Sequence, residues 1–177
     1  MARMRERLFA GFGAFLFLAS ACALTIFVIM QPGTDNTASQ TSQKQQCADS
    51  KTEETLAAPE AYAPTEPVTT LGVTDLTQGS GPAAKVGDCL VMKYYGTLAS
   101  DGTKFDENFT DTTGFAFTLG QGQVITGWDN GLAGMKAGGM RRLVIPAAQA
   151  YGSQSPSAAI PANSDLVFVV KLLRIQN

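Results

Sequence analysis

V-I-T-G-W (residues 124–128), G-L-A-G-M-K-A-G (131–138), R-R-L-V-I-P (141–146), Ala150-Tyr151-Gly152, Ile160-Pro161 and L-V-F-V-V-K-L-L (166–173) follow one another in 50 residues of a 177-residue chain. Glycines separate β-rich runs from one short helical run, and aromatic residues recur at the element ends. Trp128, Leu132 and Met135 fall at helical spacing, so the pattern predicts a short helix over residues 128–135 packed on a sheet. Working outward, residues 141–145 and 166–175 read as strands. Upstream, residues 71–76, 88–98, 103–106 and 115–119 alternate in the same way, with turns at Gln78-Gly79-Ser80-Gly81-Pro82 and Asp101-Gly102. In the longest of these, Leu90, Met92 and Tyr94 share one face while Val91, Lys93 and Tyr95 share the other. One short helix against five or six strands is an α+β roll, expected over residues 71–177.

The residue inventory excludes several chemistries. The chain has no histidine, so a Ser-His-Asp or Cys-His arrangement cannot be built and a zinc centre is not expected. No glycine loop runs into a lysine and serine pair, so no phosphate cradle is read. Asp106 and Glu107 are adjacent carboxylates, but neighbouring strand residues point to opposite faces, which argues against a shared acid–base site. What is plentiful is apolar and aromatic surface: Tyr94, Phe105, Phe115, Val124, Ile125, Trp128, Tyr151, Ile160 and Phe168. Such a set is either plain core or the lining of a ligand cleft, and the residues alone leave both open.

Taken with Lys93-Tyr94-Tyr95-Gly96 and Gly102-Thr103-Lys104-Phe105-Asp106, these fragments closely resemble the FKBP-type peptidyl-prolyl isomerases, the macrolide-binding immunophilins. The resemblance covers residues 71–177, and the spacing from Phe105 to Phe168 needs no gap. It implies a twisted antiparallel sheet wrapped around the short helix, and prolyl cis–trans isomerase activity. By the same resemblance Trp128 forms the floor of a proline pocket, with Tyr94, Phe105 and Phe168 as aromatic walls and Phe115, Val124 and Ile160 around them. The Ile125 N–H and the Tyr151 hydroxyl are the implied donors to substrate carbonyls, and Asp106 stands beside the twisting carbonyl. Tyr94, Asp106, Tyr151 and Phe168 are thus the expected catalytic set. Unfolded or proline-containing polypeptides are the expected partners, with macrolides as inhibitors, and no cofactor is called for. Asp111 departs from the family pattern, occupying the place of an arginine that pairs with the Asp106 equivalent. A non-catalytic peptide-binding or chaperone module on the same fold is the alternative.

The front of the chain differs in kind. Arg3, Arg5 and Arg7 precede residues 8–30, an uncharged apolar stretch long enough for a bilayer core of about 30 Å. This predicts a cytoplasmic start over residues 1–7, a transmembrane anchor over 8–30, and an isomerase domain held outside the cytoplasm at a cell membrane. Residues 31–70, rich in Thr, Ser, Gln, Ala, Pro and Glu, read as a disordered tether. Residues 71–177 carry eight basic and eight acidic side chains; this neutral balance gives no footprint for nucleic acid. Cys22, Cys47 and Cys89 suit no metal site. An oxidising location would permit a Cys47–Cys89 bridge, but the pair reads more simply as a free thiol and a small strand residue.

Overall fold

The computed structural model describes residues 47–52, 55–60 and 62–176. Among them the chain forms β1 (Ser50–Lys51), β2 (Gly72–Thr77), β3 (Cys89–Leu98), β4 (Lys104–Glu107), β5 (Thr113–Thr118), α1 (Thr126–Gly131), β6 (Met140–Ile145), a 3-10 turn (Ala147–Gln149) and β7 (Leu166–Gln176). The strands make one antiparallel sheet in the order β1-β5-β3-β7-β6-β2, with β4 beside β3. β3 and β7 form its centre, paired from Cys89↔Gln176 to Leu98↔Leu166. This is the expected sheet with one short helix.

Alternation places the core. Leu90, Met92, Leu143, Ile145, Leu166, Val170 and Leu172 are fully buried on the inner face, where they meet Trp128, Leu132 and Met135. Each such aliphatic side chain contributes roughly 1.5–3 kcal/mol by leaving water. The helix lies directly on β6 because Gly127 and Gly131 carry no side chain there. A Cβ at those positions would sit 2.4 Å from Ile145 Cγ2 and 2.7 Å from Leu143 Cδ2.

The helix begins two residues earlier than its apolar spacing suggests and stops at Gly131 instead of running to Met135. Its end is set by tertiary contacts. Arg141 Nη1 donates to the carbonyls of Gly131 at 2.8 Å and Ala133 at 3.4 Å, and Gly134 then turns the chain away at φ 75°. Arg141 Nε also donates to Asp75 Oδ1 at 2.6 Å, tying β2 to β6 and to the helix end. That hydrogen bond holds the Asp75 carboxyl below its ordinary value.

The segment before β2 corrects two expectations. Cys47 is not a free thiol: it is bonded to Cys89, with the two Cα atoms 5.4 Å apart. The chain around it is an ordered arm where a tether was read. Ser50 and Lys51 pair with Gly114 and Thr113, and Asp49 Oδ1 accepts from Ala116 N at 2.7 Å. Thr52 N donates to Thr112 O at 2.8 Å and Leu56 N to Phe109 O at 2.9 Å. Further on, the Tyr62 ring stacks against the Arg142 guanidinium at 3.7 Å. Arg142 shares a register row with Val169 and Tyr95 across β6, β7 and β3, so the arm reaches the outer face at that row. Cys89, Val91, Phe109, Val167 and Val169 are buried although none belongs to the inner cluster. Composition missed the arm because backbone hydrogen bonds and a disulfide hold it, not a run of large apolar side chains.

Residues 1–46 lie outside the described residues, and with them the segments read as cytoplasmic start, membrane span and early tether. Among the described residues no helix is long and apolar enough to cross a membrane.

Candidate active site

The aromatic residues singled out in the sequence converge on Trp128. Its indole lies 5.2 Å from the Phe168 ring, 5.7 Å from Tyr94 and 6.1 Å from Phe115, each in an edge-to-face arrangement. Phe168 in turn meets Phe105 at 5.5 Å and 83°. Edge-to-face pairs of this kind hold one another's orientation beyond simple area burial. Val124, Ile125 and Tyr151 are half-buried against the same cluster, and Ile160 is buried in it. All these expected pocket residues therefore lie on one side of the sheet. Ile125 precedes α1 in extended conformation (φ −61°, ψ 148°), so its N–H stands outside the helical ladder. Trp128 Nε1 is buried and has no acceptor among the described residues.

A polar group closes one edge. The Tyr94 hydroxyl donates to Asp106 Oδ2 at 2.7 Å, while Asp106 Oδ1 accepts from Glu107 N at 2.9 Å. Burial pushes the Tyr94 phenol well above its ordinary value, and the hydrogen bond to Asp106 and the charges of Asp106 and Asp111 push it further. Burial raises Tyr151 as well, and Asp106 adds to that shift. The three side chains share one electrostatic neighbourhood in which both hydroxyls stay protonated donors at neutral pH. Asp111 is exposed. The tip loop over residues 153–159 is exposed throughout; Ser155 Oγ fixes it by donating to the carbonyls of Ser157 at 3.0 Å and Ile160 at 2.8 Å.

Four residues that shape this site carried no role in the sequence reading. Phe117 backs the indole at 5.7 Å and stacks on Phe115 at 5.7 Å and 24°. Gly96 leaves room for two walls: a Cβ there would lie 2.7 Å from Phe105 Cζ and 2.8 Å from Phe168 Cε1. A glycine inside a strand pattern signals such close approach and could have been read. Asp129 accepts from Gly120 N at 2.8 Å and Gly122 N at 3.1 Å, shaping the turn that delivers Val124. Asn108 Oδ1 accepts from Tyr94 N at 2.7 Å, and no sequence pattern signals it.

With this geometry in view, the comparisons with known proteins agree. The family model for FKBP-type peptidyl-prolyl cis-trans isomerase matches residues 81–173, more than half of the chain. A peptidyl-prolyl cis-trans isomerase of Saccharomyces cerevisiae is 51% identical over 105 residues, covering 59% of this chain and 25% of the relative. The 46 kDa FK506-binding nuclear protein of Spodoptera frugiperda is 45% identical over 106 residues, covering 60% and 26%. The chain thus spans about a quarter of the length of these relatives. The crystal structure of AtFKBP13 superposes with a TM-score of 0.55 at 31% identity, covering 66% of this chain and 98% of that one. These relatives correct the location read from the sequence. The curated relatives are yeast and insect proteins, and the Spodoptera frugiperda one is named as nuclear, so they do not support an extracytoplasmic membrane location. Among the described residues, which leave out 8–30, no helix is long and apolar enough to cross a membrane. From the aromatic cluster through the family match, the observations lead to one assignment: the chain belongs to the FKBP-type peptidyl-prolyl cis-trans isomerase family.

Proposed function

We propose that this domain isomerises X–Pro bonds in proline-containing polypeptides, with the prolyl ring seated over Trp128. The observation that carries the reading is the Trp128 indole ringed edge-on by Tyr94, Phe115 and Phe168, beside the Tyr94–Asp106 hydrogen bond. Rotation about the bond before proline must break amide resonance, against a barrier of about 18–20 kcal/mol. The planar amide is more polar than the twisted one, so an apolar pocket withdraws water stabilisation mainly from the ground state. In this reading the Ile125 N–H and the Tyr151 hydroxyl donate to substrate carbonyls, and Asp106 orients Tyr94 beside the twisting group. Each tenfold gain in rate needs only about 1.4 kcal/mol of preferential stabilisation. The relatives' FK506-binding names extend here as a proposal that FK506-type macrolides occupy the same pocket.

A protease-coupled assay with a prolyl peptide on the full chain tests this. Acceleration that FK506 abolishes is expected. A chain that binds the peptide, seen as a change in Trp128 emission, without accelerating its isomerisation would replace the enzyme reading with that of a peptide-binding module.

A further inference from the structure

Lys93 is fully buried on the face of β3 opposite the aromatic pocket. A lysine is almost never enclosed in this way unless acceptors surround its ammonium. Here Nζ donates to the carbonyls of Asn108 at 3.0 Å, Thr113 at 3.5 Å and Asp111. All three carbonyls belong to residues 108–113, the connection from β4 to β5 with the first residue of β5. The same connection grips the site. Tyr94 N donates to Asn108 Oδ1 at 2.7 Å, Asn108 N to Tyr94 O at 3.0 Å, and Asn108 Nδ2 to Met92 O at 3.3 Å. Asp106, which accepts the Tyr94 hydroxyl, stands two residues before Asn108. One buried cation therefore gathers a loop whose first residue fixes the Tyr94 backbone and whose approach carries the Tyr94 side-chain acceptor.

We propose that Lys93 is a positioning residue for prolyl isomerisation, a buried ammonium that sets the Tyr94–Asp106 pair from the opposite side of the sheet. The proposal rests on the isomerase reading above. Without the charge, the Asn108, Asp111 and Thr113 carbonyls lose their shared ammonium. Asn108 O keeps Asp111 N at 3.1 Å and Thr113 O keeps Asn108 Nδ2 at 3.4 Å, both donors from within the loop, so its tie to the Lys93 side of β3 weakens. Asn108 transmits that loosening to Tyr94, whose ring edge faces Trp128.

The test compares Lys93→Met, similar in length but uncharged, with Val91→Ala, which thins the same buried face without touching a loop carbonyl. Both are made in the full chain. Trp128 is the sole tryptophan, so its emission reports on the pocket without substrate. Lys93→Met is expected to lower kcat about five- to tenfold while KM stays within about twofold, and to displace the emission of the folded protein. Val91→Ala should melt earlier yet keep both. A folded Lys93→Met variant with wild-type kcat and emission overturns the proposal, as does a Val91→Ala variant that reproduces both changes. If Lys93→Met does not fold, the wild type decides: a saturating prolyl peptide should shift the nitrogen-15 signals of the Lys93 ammonium and the Asn108 amide, and unshifted signals overturn the proposal. The emission comparison needs no turnover, so an inactive wild type would remove the isomerase reading without deciding the coupling.

Discussion

Lys93 and Tyr94 are consecutive residues on β3, and the two faces they occupy are held by different physics. The inner face is aromatic and aliphatic, and its members follow the two-residue period of the strands and the spacing of one short helix. Beside the outer face runs a segment that starts about forty positions upstream, paired with the β5 edge and pinned by a disulfide to Cys89, a series of backbone hydrogen bonds and the Tyr62–Arg142 contact. The contrast separates function from stability. Groups that could touch a prolyl ring lie inside, whereas most of what the arm adds outside is restraint on the chain. Under the proposal above, Lys93 is where the outer face reaches through to the inner one.

The largest effect should come from the outer face. The Cys47–Cys89 bond closes a loop of 42 residues, which on chain-entropy grounds stabilises the fold by about 4 kcal/mol. Cys47→Ser should therefore lower the denaturant midpoint strongly while the domain stays folded at 25 °C with turnover close to wild type. A folded Cys47→Ser protein that has lost its turnover would show that the arm serves the pocket, and the division between the faces would fail.

Trp128→Leu is the inner counterpart. Leucine keeps an apolar side chain in the core, so the fold should survive, but the flat indole proposed to seat the prolyl ring and its edge-to-face contacts disappear. The expected loss in kcat/KM is at least tenfold, or about 1.4 kcal/mol of transition-state stabilisation. Wild-type kinetics in a folded variant would remove the indole from the site and leave it a core residue.

The same contrast explains what the sequence disclosed. The strands at residues 88–98, 115–119, 141–145 and 166–175 were legible because alternation over a buried face leaves a period-two record, and Tyr94, Phe115, Phe117 and Phe168, which converge on Trp128, lie along those elements. The end of α1 was not legible, since Arg141, ten residues beyond Gly131, takes the carbonyls that would have continued the ladder. The arm was less legible still. Backbone pairing of Ser50 and Lys51 with β5 depends on a free strand edge, which composition does not record, and a disulfide partner cannot be read from two cysteines without a shared geometry. The burial of Lys93 was not legible either: alternation puts it on the same face as Val91 and Tyr95 but does not record that a loop closes over it.

A smaller effect is expected at Asp106. Asp106→Leu removes the acceptor of the Tyr94 hydroxyl, a hydrogen bond worth about 1.5–3 kcal/mol when its acceptor is charged and both groups are buried, and less at this half-buried edge. kcat/KM should fall roughly threefold, below the loss in Trp128→Leu, because the hydroxyl keeps its place through the Tyr94 backbone bonds to Asn108. A loss larger than that of Trp128→Leu would move the centre of the chemistry from the apolar floor to the polar edge.

The smallest effect is invisible at neutral pH and appears only in alkali. Tyr94 and Tyr151 both have folded values raised above the ordinary one, chiefly by burial. Below about pH 10, the ordinary tyrosine value, folded and unfolded chains hold these protons equally, so the stabilising preference is fully present. As pH rises above that point the unfolded chain loses its protons first, and stability declines across the window that ends at the raised folded values. Phenolate absorbance should therefore show both tyrosines resisting ionisation until the fold gives way, with unfolding and the last phenolate signal moving together. Asp106→Leu relieves the part of the Tyr94 shift that comes from the carboxylate, so its alkaline loss of stability should level off at a lower pH than in the wild type, with the same slope before that point. An unchanged end point would mean that burial alone sets the Tyr94 value and that the inner face owes its polar edge to packing.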